Sequence, residues 1–600
     1  MKKIFYILTI TVLGVFIQSC DLTENQEATA DRNMIFGSET GLKTYVYSFY
    51  NMLPNYNSAF DQDAMADYGA NNSISTYGAG AYTTQTSTGW SWGNLRNVNY
   101  FIKYNTNSAV SETVRNNYTG IAKFFRAYFY FDKLVTYGEV PWIDEPLESN
   151  DKRLYGTRDT RDVIVRHILQ DLDDASQNIT VSSITPNSNT INKWTPLLFK
   201  SRVALFEASW RKYHNGTDYV KNCKITSDSL YQVAADAAKT VMDGGPYKIH
   251  TSTAYANGRG AYRDLFISDN AVTEEVMLAV SCDASLNILG QQNWWYNSSS
   301  FGEHLSMIRP FMKTYLNRDG TVYNDKKTDG TYKNFVEETS NRDLRLNQTI
   351  ICADYTCKKS SGNYVLTTPN YTGLTLTGYQ FTKYVMDDAA YDNGANNIND
   401  IPIFRYAEVL LNYAEAKAEM GTLTDDDWKN TIGVLRRRAG ITGGDLDQKP
   451  MMVDPYIQKT YYPSISDPVI LEIRRDRAIE LCLEGLRMLD LKRWACGNLW
   501  KDIEWTGTYI PALDTPLDMN GDGIYDVYFT TNTKYSGTYK GITVQLKGAQ
   551  TVKKLSDDPN GGYIYFYNET SHKWNNNMYL YPIPAQVITM NPNLTQNPGW

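Results

Sequence analysis

Histidine is scarce in this chain. Five in 600 residues, at positions 167, 214, 250, 304 and 572, include no zincin-type pair. No Walker A loop, G-x-S-x-G elbow or dinucleotide fingerprint is present. Carboxylates are plentiful, but sequence spacing alone does not set two of them across a glycosidic bond. Beyond Cys20, the cysteines at 223, 282, 352, 357, 482 and 496 form no C-x-x-C pair and no zinc spacing with histidine. Cys352 and Cys357 flank a short loop where a disulfide is conceivable, whereas Cys482 lies on an apolar helix face as a buried thiol. Net charge is −8 with no basic patch, which makes nucleic acid and anionic membrane surfaces poor partners. Past the N-terminus no apolar run is long enough to cross a bilayer.

What is present begins with a processing segment. Lys2 and Lys3 precede the apolar run Ile4–Ile17, which is too short for a comfortable membrane span and reads as a secretory leader. It ends in Ile17-Gln18-Ser19-Cys20, which resembles a lipobox and makes Cys20 the acylated first residue of the mature chain. At roughly 0.8 kcal/mol per buried methylene, several acyl chains anchor a protein firmly. The expected organisation is a signal peptide at 1–19, a lipidated polar tether at 20–36, an N-terminal helical region at 37–245 and a C-terminal region at 246–600, folded together.

Helical periodicity is expected over Ser38–Leu53, over the aromatic run ending at Tyr137, and over Thr160–Gln177, Thr195–Lys212 and Asp228–Asp243. Ala204, Ala208, Ala234, Ala235 and Ala238 are the small residues that let paired helices approach, as in tetratricopeptide-like units. Between the first two helices, Asn55–Gly93 is too polar for core and too long for an ordinary connection, which marks it as functional. Short strands and polar loops are expected from Tyr247 to about Asp400, then a helix over Ile401–Gly421 and a partner over Asp425–Arg438.

The most informative stretch is Asp467–Trp494. Asp467 is a good N-cap and Pro468 fits the first helical turn. Arg474, Arg477 and Glu480 recur every three residues, as do Arg487, Asp490 and Arg493, a spacing at which opposite charges pair along one helix face. With no nucleophile or metal ligand converging on them, they read as ion pairs that fix how helices meet. "RRDRAIELCLEGLRMLDLKRW" resembles the C-terminal signature of the RagB/SusD family, outer-membrane nutrient-binding lipoproteins of the Bacteroidetes. Three further stretches agree: Arg126-Ala127 with Tyr137-Gly138 and Val140-Pro141, the run Arg405–Ala416, and the end of the chain from Tyr581-Pro582-Ile583-Pro584 to Gly599. The resemblance implies a mainly α fold, a tetratricopeptide-like α–α superhelix with irregular loops and short β-hairpins. It also implies a cell-surface, lipid-anchored outer-membrane protein without enzymatic activity, which captures a glycan and passes it to a SusC-like TonB-dependent transporter. Peptide capture is the alternative inside the family; a surface hydrolase and a plain helical interaction scaffold are those outside it.

Aromatics make up 13% of the chain, with 46 Tyr and 13 Trp, more than a core alone needs. Trp90 and Trp92, and Trp294, Trp295 and Tyr296, sit in polar settings that suit stacking on the C–H face of a sugar. A stacked face that removes about 50–80 Å² from water gains roughly 1–2 kcal/mol. The expectation is that both sets line one groove. No cofactor is required, but Asp518, Asn520, Asp522 and Asp526 stand at positions 1, 3, 5 and 9 of an EF-hand-like loop, with Gly523 at the sharp turn. Position 12 is Phe529 rather than an acid, so the expectation is at most a structural Ca²⁺.

Overall fold

Ser38 caps helix α1 (Glu39–Tyr47), its hydroxyl accepting from the Gly41 N–H at 3.2 Å; a 3-10 turn, Ser48–Met52, carries the helix to Pro54. The structure is a computed structural model and describes residues 32–600 apart from 72, 299–303, 372, 531–537, 540–541, 544, 549–553, 556–560 and 566–571. The expected leader, Cys20 and most of the tether lie outside the described residues.

Helix α2 (Gly93–Tyr104) leads into α3 (Glu112–Tyr137), which is capped by Ser111 and carries the aromatic run. It stops at Gly138, whose φ of +76° only glycine adopts freely and where a Cβ would meet Leu580 Cδ1 at 2.8 Å. The next helices follow the sequence periodicity: α4 (Arg161–Asn178), α5 (Trp194–Tyr213) and α6 (Ser227–Gly244). Each packs on its predecessor, α4 on α3, α5 on α4 and α6 on α5. The buried alanines 234, 235 and 238 of α6 and 204 and 208 of α5 let these backbones approach closely. This is the tetratricopeptide-like superhelix expected from the sequence.

From Tyr247 the chain leaves the superhelix for short strands and turns, and returns through an antiparallel pair, β1 (Val276–Val280) with β2 (Ile401–Arg405). Here the structure corrects the sequence reading: the helix expected from Ile401 begins only at Tyr406. Pro402 has no N–H and disfavours helical geometry in Ile401 before it, which leaves the segment extended and free to pair with β1. Helix α7 (Tyr406–Glu419) then packs against α6. Its expected partner is broken in two, α8 (Asp425–Asn430) and α9 (Ile432–Arg438), at Thr431, whose hydroxyl binds the Asp427 carbonyl at 2.6 Å instead of leaving the ladder undisturbed. Asp467 caps α10 (Pro468–Glu480) as expected, accepting from the Val469 N–H at 2.8 Å, and α11 (Arg487–Arg493) follows Gly485.

A second correction concerns Asn55–Gly93. Phe60, Asp63, Ala66, Asp67, Tyr68 and Tyr77 are buried, so much of this polar segment is threaded through the core. It enters by having its polar groups satisfied: Asp67 receives a bidentate Arg487 at 2.7 and 2.8 Å, and the Tyr68 hydroxyl donates to Asp63 at 2.7 Å and accepts from the Leu483 N–H at 2.7 Å. Cys352 and Cys357 are free thiols, both buried, and Cys482 is buried as expected.

Arg475 pairs with Glu472 at 2.7 Å along α10, but Arg474, Arg477 and Glu480 do not pair with one another. Arg477 holds Asp490 at 2.9 Å and Asn412 at 2.8 Å, while Arg474 reaches Glu419 at 3.4 Å. Glu480, fully buried, accepts from Arg405 at 2.7 Å, from Arg345 at 3.1 Å and from Arg438. Asp490 also binds Arg493 at 2.9 Å, and Arg493 continues to Glu415. These links run from α10 to α7, α9, α11 and the irregular middle, so the signature stretch is the knot that ties the superhelix to the rest. The C-terminal motif is another tie: Asn597 Nδ2 donates to the Tyr137 and Tyr581 carbonyls at 2.9 and 2.7 Å, and Arg158 donates to Asn597 Oδ1 at 2.6 Å.

Candidate ligand-binding site

Trp295 sits on a short helix, Gln292–Asn297, held by a buried amide network. Asn293 donates to the Met386 carbonyl at 2.9 Å and to Asp392 at 3.0 Å, and its own carbonyl accepts from Met386 N–H at 2.7 Å and from Asn397 at 2.8 Å. With every side of Asn293 engaged, the helix has one position. Tyr296, expected among the sugar platforms, is instead only 3% exposed; its hydroxyl donates to the Phe60 carbonyl at 2.8 Å. It bolts the helix to the threaded 55–71 segment, its ring also meeting Phe60 edge-on at 6.4 Å.

Trp295 is half-buried, with its ring edge-on to Phe60 at 5.9 Å, and its indole N–H has no acceptor among the described residues. It lines a cleft of about 230 Å³ with Met65, Asn71, Ser73 and Ser75 on one side and Trp500 and His572 on the other. Trp500 comes from the short helix Leu499–Asp502 and meets His572 edge-on at 4.7 Å. His572 is stacked flat on Trp505 at 4.2 Å, and burial pushes its imidazole down to about 4, so it is neutral near pH 7. The cleft therefore offers two indoles and a neutral ring beside serine and asparagine, with no net charge. Such a lining stacks on the apolar face of a sugar and hydrogen-bonds its hydroxyls. Its volume is below the roughly 300–1,000 Å³ of pockets for drug-sized ligands, which fits one unit of a longer chain.

The remaining predicted residues lie elsewhere. Trp294 is half-buried and does not line the cleft. Trp90 and Trp92 pack on each other at 5.4 Å and on α3, through Tyr137 at 5.0 Å and Phe129 at 5.6 Å. Lys133 and Tyr137 of that helix bind the Gly89 and Thr88 carbonyls and pin the loop down. Neither tryptophan lines the Trp295 cleft, so the two aromatic sets do not share that site. Trp500 and His572 were not singled out in the sequence. The density of tryptophan between 494 and 574 was the available signal, but it lies in segments without a loop signature.

In the acidic turn, Asp518 accepts from the Gly521 and Gly523 N–H groups at 2.7 Å each, Asp522 from Ile524 N–H at 2.7 Å and Asp526 from Met519 N–H at 2.7 Å. Burial, and then the charges of Asp522 and Asp518, raise the Asp526 carboxyl above its ordinary value. Among the described residues no three His, Cys, Asp or Glu side chains are grouped to hold a metal ion.

Comparison with known proteins completes the picture. A family model described as "Starch-binding associating with outer membrane" matches residues 36–254, and one described as "SusD family" matches residues 251–600. The SusD-like protein P25 of Formosa agariphila is 24% identical over 586 residues, covering 91% of this chain and 97% of that protein. Among solved structures, a SusD-like protein and a SusD-like carbohydrate-binding protein, both from Bacteroides fragilis, each superpose with a TM-score of 0.67 at 19% identity, covering 94% of this chain and 98% and 100% of theirs. No helix among the described residues is long and apolar enough to cross a membrane. The SusD family model spans more than half of the sequence, and the chain belongs to the SusD family.

Proposed function

We propose that this protein captures a glycan at the Trp295 cleft on the outer surface of the outer membrane, held there by acylated Cys20, and delivers it to a SusC-like TonB-dependent transporter. The observation that carries the reading is the cleft: an indole whose N–H has no acceptor among the described residues, set by a rigid amide network opposite Trp500 and His572 and flanked by small polar side chains. Nothing in it supplies an acid–base pair, a nucleophile or a metal, so its lining suits binding rather than turnover. Each contact is weak, and many anchored copies engaging one polymer supply the avidity. Depletion of a polysaccharide panel by the purified protein, with chromatography of the unbound fraction, tests this. The expected result is retention of one or a few polysaccharides, unchanged in length. Shortened products would make the protein a hydrolase, and retention of peptides but of no polysaccharide would refute the glycan reading.

The anchor is separate from the fold. Cys20→Ala in the full-length precursor is expected to move the protein from the membrane fraction to the soluble fraction with its circular dichroism intact. A mutant that sediments with membranes as firmly as wild type contradicts the lipoprotein assignment.

We also propose the Asp518–Asp526 turn, with Asn520 and Asp522, as a structural Ca²⁺ site. Burial is the main cause that raises Asp526, and a cation there would offset both that burial and the repulsion from Asp522 and Asp518. A ligand bound only to the folded state, at 100 times its Kd, adds about 2.7 kcal/mol, so chelation is expected to lower Tm by a few degrees and added Ca²⁺ to restore it. An identical Tm in chelator and in excess Ca²⁺ leaves the segment an ordinary turn.

A further inference from the structure

A second cavity, of about 820 Å³, adjoins the same short helix Leu499–Asp502: Leu499 and Asp502 line it, whereas Trp500 lines the Trp295 cleft. It is far larger than the cleft and differs in chemistry. Its aromatic walls include Tyr456, Tyr461 and Trp494, with Tyr332 across from them. Two buried polar atoms on the lining, the Tyr461 hydroxyl and Arg309 Nη2, make no hydrogen bond among the described residues. The Tyr461 side chain is 2% exposed and its hydroxyl makes no hydrogen bond. Arg309 is 3% exposed; its Nη1 binds Glu338 at 2.7 Å, but its Nη2 makes no hydrogen bond, with Asp325 Oδ2 3.7 Å away. Leaving such groups unmet in the interior costs about 1–3 kcal/mol each, a cost that a ligand's hydroxyl or anion removes.

The charge at the mouth points to the ligand class. Lys313 is matched by Asp325 at 2.9 Å, and Asp502 by Lys501 at 3.1 Å. Lys326 and Lys459, both exposed on the lining, make no ion pair among the described residues; Lys326 rests over the Tyr332 ring at 4.9 Å. Glu504 is the one lining carboxylate left to oppose them. Aromatic faces for C–H stacking, buried donors for hydroxyls, and surplus ammonium groups at the opening together match a sugar that carries a negative charge.

We propose that this cavity is a second ligand site, distinct from the Trp295 cleft, that takes an acidic sugar unit, a pyranose bearing a carboxylate or a sulfate ester. The proposal rests on the reading that the protein binds glycans, and adds that one part of the ligand is anionic. Arg309 Nη2 and the Tyr461 hydroxyl meet the buried face of the sugar, the tyrosine walls cover its C–H face, and Lys326 and Lys459 face its charge.

The test is isothermal titration of the intact protein with three oligosaccharides of equal length, tetragalacturonate, a sulfated galactotetraose and neutral cellotetraose, and with tetraglutamate as a polyanion that is not a sugar. An acidic tetramer is expected to bind, with affinity falling as salt rises. Tyr461→Phe, which removes the hydroxyl without changing the cavity's shape, is expected to weaken that binding about fivefold. The Lys326→Ala, Lys459→Ala double variant, altered only at exposed positions, is expected to weaken it about tenfold. Trp295→Ala leaves it unchanged. A response to only one of the acidic tetramers supports the proposal and names the anion. The proposal is overturned if neither acidic tetramer binds, if cellotetraose or tetraglutamate binds as tightly, or if binding survives both cavity variants. Acidic binding lost in Trp295→Ala overturns it too, whereas neutral-glycan retention that survives Trp295→Ala refutes only the cleft assignment.

Discussion

Trp295→Ala is expected to abolish retention of the polysaccharide ligand while the protein stays folded. Trp295 is half-buried and touches the core only edge-on at Phe60, so its loss removes limited packing. The helix that carries it is held independently by Asn293 and by the buried Tyr296. For a single site, losing one stacked platform costs roughly 1–2 kcal/mol, about 5- to 30-fold in Kd. On a polymer bound through many weak contacts the loss multiplies, and retention in a depletion assay disappears. Trp500→Ala is the less suitable test, because Trp500 is buried against Trp505 and His572 and its removal leaves a cavity. Trp90→Ala serves as the control: a ring pinned on α3, outside the cleft, is expected to leave retention near wild type. Binding intact in Trp295→Ala but lost in Trp90→Ala would move the site to the N-terminal helices.

Glu480→Ala is expected to prevent accumulation of folded protein. Glu480 is fully buried and shared by Arg345, Arg405 and Arg438, and removing it leaves these three buried guanidinium groups with only Asp343 and Asp476, Glu275 and Glu484, and Glu275, respectively, to balance them. Breaking a buried pair by deleting one partner costs about 3–5 kcal/mol, a large part of the 5–15 kcal/mol that holds a typical domain folded. Glu480→Gln keeps the shape and removes the charge, and is expected to lower the denaturation midpoint without changing glycan specificity. A Glu480→Gln protein as stable as wild type but unable to bind would make the knot a ligand site instead of a scaffold.

The same network sets the acid response. Burial alone would raise the Glu415 carboxyl, but Arg493, then Arg477 and Arg474, overcome it and bring it from 4.5 down to about 2. A depressed carboxylate stabilises the fold above its unfolded value and loses that contribution as pH falls from about 4.5 toward 2. Glu472 has the opposite sign: burial pushes it up to about 7 in spite of Arg436, so its contribution is full below pH 4.5 and is lost as pH rises through 7. The knot therefore tolerates mild acid, and the denaturation midpoint should fall steeply only below about pH 4.

How much of this was legible in the sequence follows from how local each signal is. Helix starts and stops were, because a cap, a proline or a glycine acts within one turn: Asp467 and Pro468 open α10, and Gly138 closes α3, where the sequence indicates. The family was legible too, through the α10 signature and the C-terminal asparagine motif, both of which turned out to be ties between distant segments. Partner choice was not. Three-residue spacing made Arg474, Arg477 and Glu480 neighbours, but in the interior each charge takes the partner that best replaces its lost hydration, and these lie 13 to 135 residues away. The Ile401 strand escaped for the same reason: its apolar run suits either structure, and pairing with Val276–Val280, over a hundred residues earlier, decided it.

The sequence by itself determined that this is a helical member of the SusD family, with aromatic side chains to spare. Composition also marked which loops were aromatic. Only the tertiary structure decided which aromatics face a ligand. Tyr296 and Trp295 are adjacent in sequence and both rings meet Phe60, yet Tyr296 is buried while Trp295 is half-buried and lines the cleft. Trp500 and His572 join Trp295 there from segments more than two hundred residues away. Burial is a property of what packs on the other side of a residue, and that neighbour is fixed by the whole fold and by no stretch of the chain alone.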